Sequence, residues 1–112
     1  MLDKRQFYIN GKWVDPISPN DLEVINPSNE EVCAIISLGS SADTDLAIES
    51  ANKALPSWSK TSKEERLKLI EKLYEIYKAR WNDMTESISL EMGAPYDWAN
   101  EEQSKSGANH IK

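Results

Sequence analysis

The first apolar pattern along the chain has period two: Phe7-Tyr8-Ile9 and Lys12-Trp13-Val14 flank Asn10-Gly11. Asn-Gly between two β-prone runs predicts a type I′ turn, whose two central residues both need positive φ. With a two-residue loop, Ile9 faces Lys12, Tyr8 faces Trp13 and Phe7 faces Val14. Pleating then puts Tyr8 and Trp13 on one face and Phe7, Ile9 and Val14 on the other. A hairpin apolar on both faces needs cover on both, since an isolated two-stranded hairpin is marginal in water. Short strands over Leu22–Ile25 and Val32–Leu38 follow, separated by turn-rich segments at 15–21 and 26–29. The expectation is a small β region of up to four strands, closed by Gly39.

From Ser40 the period changes to that of a helix. Ser40 can cap a helix with Asp43 at N3, and Ala47, Ile48, Ala51, Ala54 and Leu55 form its apolar face before Pro56 ends it. Thr61-Ser62-Lys63-Glu64 has the capping-box pattern and predicts a long helix to about Trp81, with Glu64 and Lys68 as an i,i+4 ion pair. Leu67, Ile70, Leu73, Tyr74, Tyr77 and Trp81 make one stripe, which Leu69 and Ile76 widen, so contacts on two sides are expected. Met84, Ile88 and Met92 mark a third helix from about Asn82 that stops at Gly93, with Pro95 just beyond. Trp98 to Lys112 reads as helical but polar, with few anchors, and it ends without glycine, proline or turn, as a cut would.

Composition makes the chain core-poor. Apolar residues are 39% of its 112 residues, below the ~45–50% of ordinary domains. One domain or less fits that length. The net charge of -6 comes from interspersed acids and bases rather than a basic stripe, which argues against nucleic acid as a partner. No stretch approaches the ~18 consecutive apolar residues of a membrane span, and no apolar leader follows Met1. Cys33 stands alone, so no intramolecular disulfide can form, and a reducing, cytoplasmic setting is the simpler expectation.

Catalytic chemistry is hard to place on these residues. The glycines are at 11, 39, 93 and 107, so neither a G-x-G-x-x-G loop nor a P-loop can be written. One His and one Cys do not make a zinc site of the usual spacing. Cys33 lies in an apolar strand-like run with no base near it in sequence, which fits a structural thiol better than a nucleophile. His110 sits on a polar segment and reads as solvated. The pairs Glu30-Glu31, Glu64-Glu65 and Glu101-Glu102 are adjacent residues that diverge, so capping or solvation suits them better than shared acid/base work. Trp and Tyr side chains at strand and helix spacing read as packing residues. No catalytic, cofactor-binding or metal-binding residue is assigned.

Five segments in order nevertheless carry a family signature. Phe7-Tyr8-Ile9-Asn10-Gly11-Lys12-Trp13-Val14 is similar to an F-I-N-G-K-W hairpin. Val24-Ile25-Asn26-Pro27-Ser28 is similar to an N-P-S-T-G-E turn, and Asp43 through Ala54, Leu55 and Trp58 to a helix ending in A-F-x-x-W. Glu65-Arg66 through Ile70 is similar to an E-R helix start, and Leu90-Glu91-Met92-Gly93-Ala94-Pro95 to L-E-x-G-K-P. From about Phe7 to about Ala99 the chain thus resembles the N-terminal part of the NAD(P)-dependent aldehyde dehydrogenase superfamily. It departs at Glu30-Glu31, where the family has Gly-Glu, and at Ala94, where it has Lys.

The resemblance implies an α+β fragment, β-hairpins followed by three to four helices, within a larger α/β fold. Residues 1–39 would be an N-terminal β-hairpin arm and 40–112 a helical segment of the coenzyme-binding domain, truncated at 112. The implied parent oxidises an aldehyde to a carboxylate with NAD or NADP through a cysteine thiohemiacetal. Its Q-x-C nucleophile and E-L-G-G-K glutamate segments lie outside these residues, so this segment is structural, and no cofactor is expected for it alone. The implied partners are the remainder of the parent polypeptide and further copies of the parent in a homo-oligomer, with no nucleic acid and no membrane. Some relatives hold a monovalent cation near the position of the Ile25 carbonyl, which has no side-chain signature here. A different reading is a free-standing interaction module that uses Leu67, Leu73 and Tyr77 as its surface.

Overall fold

A computed structural model describes residues 1–112. The elements run β1 (Leu2–Lys4), β2 (Phe7–Ile9), β3 (Lys12–Val14), β4 (Asp21–Asn26), β5 (Glu31–Ser37), α1 (Ser41–Trp58), α2 (Lys63–Ala79), α3 (Trp81–Met92), α4 (Tyr96–Trp98), a π-helical turn (Ala99–Gln103) and α5 (Ser104–Ile111). They form two compact units, Met1–Ile25 with Glu31–Lys60, and Asn26–Glu30 with Thr61–Lys112.

In the first unit, β2 and β3 pair antiparallel in the expected register, Phe7 with Val14, Tyr8 with Trp13 and Ile9 with Lys12. Asn10 and Gly11 have φ of 53° and 77°, as a type I′ turn requires. The Tyr8 and Trp13 rings meet edge to face at 5.2 Å. The strands number five rather than four. β1 pairs parallel with β5, Leu2 opposite Ala34 and Lys4 opposite Ile36, so the order is β1-β5-β4 with β5 central. Three residues with two charges carry no readable period; β1 exists because the edge of β5 offers unpaired backbone groups.

α1 begins as expected, with a reciprocal capping box between Ser40 and Asp43. It does not end at Pro56 but continues to Trp58. Proline removes only the N–H that would reach the Asn52 carbonyl, and the ladder resumes beyond it with the bond from the Ser59 N–H to the Leu55 carbonyl (2.8 Å).

In the second unit, Asn26–Glu30 forms a turn. The Ser28 N–H donates to Asn26 Oδ1 (2.9 Å), the Glu30 N–H donates to the Asn26 carbonyl (2.8 Å), and Glu30 stands at φ 60°. α2 is capped by Ser62 with Glu65, one residue later than the Thr61/Glu64 box expected. Thr-Ser-Lys-Glu-Glu contains two overlapping boxes, and local pattern does not choose between them. The ion pair on α2 forms at Glu75–Lys78 (2.9 Å) rather than at Glu64–Lys68, and α1 of the first unit carries another at Glu49–Lys53 (2.7 Å). α2 stops at Ala79 and Trp81 opens α3, which ends at Gly93 with φ 66°.

The chain's last segment is helical, as expected, but it is well anchored. Ala99 and Ser104 are 0% exposed and Ala108 5%. These anchors are small side chains that let helices approach closely, so they leave no apolar stripe to read. A carbon added at Gly107 would overlap the Tyr77 hydroxyl of α2.

Candidate functional site

Polar groups converge at two buried points, one in each unit. In the first, the Asp43 carboxylate accepts from the Ser40 hydroxyl (2.6 Å), the Ile17 N–H (2.9 Å) and the Ser40 N–H (2.9 Å). The Ser40 hydroxyl, then the Ile17 and Ser40 amides, hold its carboxyl below the ordinary carboxylate value. This arrangement ties the 15–20 loop to the start of α1, and both carboxylate oxygens accept from internal donors.

In the second unit, Thr85 and Ser104 join hydroxyl to hydroxyl at 3.0 Å, and both are fully buried. The Trp81 indole N–H donates to Asn100 Oδ1 (2.7 Å), and the Tyr77 hydroxyl donates to the Ser104 carbonyl (2.9 Å). Thr85, Asn100 and Ser104 were not singled out by sequence pattern. Their trace is the spacing of the buried small residues Ala99, Ser104 and Ala108, five and then four, where the π-helical turn inserts an extra residue.

The residues weighed for chemistry lie apart in role. Cys33 is half-buried on β5, and its thiol donates to the Val24 carbonyl (3.3 Å). His110 is exposed on α5, its Nδ1 2.6 Å from the Ser106 carbonyl. Glu65 reaches back to the Ser62 N–H (2.7 Å), and that amide with the Ser62 hydroxyl lowers its carboxyl. Glu64, Glu101 and Glu102 are exposed, Glu30 sits in the turn and Glu31 opens β5. No three His, Cys, Asp or Glu side chains group as a metal site would require. An open groove of about 660 Å³ on the first unit runs past Asp3, Arg5, Trp13, Asp15 and Asp21. Five of its polar groups are turned on one another: Arg5 on Asp3 (2.6 Å) and Asp21 (3.2 Å), and Gln6 on Asp15 (2.9 Å).

A dinucleotide's pyrophosphate is commonly held by free N–H groups at a helix start. The starts of α1 and α2 do not fit that group, because Asp43 and Glu65 already place a carboxylate on each. The prominent unsatisfied surface is apolar. Tyr8 and Trp13 are 63% and 65% exposed, and Leu67, Leu69, Ile70, Leu73 and Ile76 of α2 are also exposed, while the buried apolar residues are three alanines. No helix is long and apolar enough to cross a membrane.

The aldehyde dehydrogenase family model matches residues 13–112. A 3-succinoylsemialdehyde-pyridine dehydrogenase of a Pseudomonas species is 42% identical over 95 residues, covering 85% of this chain and 20% of that protein. The crystal structure of a Bartonella henselae aldehyde dehydrogenase superposes with a TM-score of 0.97 at 56% identity, over 99% of this chain and 23% of that one. A Pseudomonas syringae aldehyde dehydrogenase variant, solved with NAD+ and octanal, superposes with a TM-score of 0.93 at 40% identity, over 96% and 22%. The chain thus spans about a fifth to a quarter of these relatives' length, and the matched region is their N-terminal part.

Proposed function

Because the chain belongs to the aldehyde dehydrogenase family, we propose that it forms the structural N-terminal part of an enzyme that oxidises an aldehyde to a carboxylate with NAD or NADP, through a cysteine thiohemiacetal built outside these residues. Residues 1–39 act as a hairpin arm and 40–112 as a helical part of the coenzyme-binding domain. The parent works as a homo-oligomer in the cytoplasm.

The observation that carries this reading is the exposure of large apolar side chains on the hairpin and on α2, with only alanines as apolar core. Fully burying one Leu or Ile is worth roughly 1.5–3 kcal/mol, so faces of this composition are suited to cover by further protein. The remainder of a parent polypeptide would provide it. NAD stands beside this reading through relatives solved with that coenzyme, and the carboxylates that cap α1 and α2 suit a reading in which other residues of the parent hold it.

The test is an assay of the purified 112-residue chain for aldehyde-dependent reduction of NAD+ or NADP+, with its sedimentation and thermal unfolding measured alongside. The expected result is no turnover, with self-association or a broad transition. Turnover that copurifies with the chain overturns the proposal. An inactive monomer with a sharp, cooperative transition would favour a free-standing interaction module instead.

A further inference from the structure

We draw no further inference here: the strongest candidate, the unpartnered apolar face of α2 formed by Leu69, Leu73 and Ile76, has nothing in the structure to show what covers it beyond the parent polypeptide already proposed.

Discussion

Gly93 packs against Pro27 so closely that a carbon added to the glycine would lie 2.8 Å from the proline Cγ. Two turns 66 residues apart, Asn26–Glu30 and the end of α3, therefore meet within the second unit. Both belong to segments that carry the family resemblance, and their contact gives a physical reason for glycine at one of them. Gly93 satisfies two demands, a left-handed φ of 66° and close approach.

Gly93→Ala meets both penalties, backbone strain and overpacking, and is expected to cost about 2 kcal/mol or more. Urea unfolding of the parent polypeptide measures it. A loss under about 0.5 kcal/mol would mean that the turn shifts freely.

Gly107 and Tyr77 form a second close approach, between α5 and α2. Gly107→Ala should displace the Tyr77 ring and break the hydroxyl's bond to the Ser104 carbonyl. Tyr77→Phe removes that hydroxyl, so the double variant should be less destabilised than the two single losses added together, by about 0.5 kcal/mol or more. A double-mutant cycle read by urea unfolding decides this. Strict additivity would show that the clash is relieved elsewhere.

Glu30 stands at φ 60°, a left-handed conformation that disfavours side chains bearing a Cβ. Glu30→Gly should stabilise the turn by about 0.5–1 kcal/mol, after allowance for the extra freedom glycine has when unfolded. Glu30→Ala should show no such gain. Paired thermal melts of the two variants separate backbone strain from loss of the charge.

Asp43 makes stability depend on pH in one direction. Its hydrogen bonds, from the Ser40 hydroxyl first and then the Ile17 and Ser40 amides, lower the folded-state value below the ordinary 3.8. A depressed carboxyl contributes stability that is fully present above the unfolded value and is lost as pH falls through the folded one. Below pH about 4 the 15–20 loop should loosen from α1, seen as a loss of protection at the Ile17 amide relative to its intrinsic exchange rate at each pH. Asp43→Asn should remove that pH dependence at Ile17, and an unchanged profile would assign it to another group.

Legibility followed the range of the interaction. The β2–β3 register, the Ser40–Asp43 cap and the Gly93 stop were all readable because each is settled among residues a few positions apart. Cys33 on a strand was readable for the same reason. The Thr85–Ser104 hydroxyl pair joins residues 19 apart, and neither residue belongs to an apolar period, so no local rule marks it.

Sequence by itself determined the family signature, the order of strands before helices and the local turns and caps, because short-range hydrogen bonds and backbone preferences specify them. Tertiary structure alone decided that Leu2–Lys4 becomes a strand on β5, whereas the passage of α1 through Pro56 and the capping of α2 by Ser62 rather than Thr61 are choices between local alternatives that the pattern does not separate. Tertiary structure also decided that the polar C-terminal segment is held by Ala99, Ser104 and Ala108. For β1 and for the C-terminal segment the choice falls to a partner distant in sequence: an open strand edge, or a facing helix close enough that only small side chains fit.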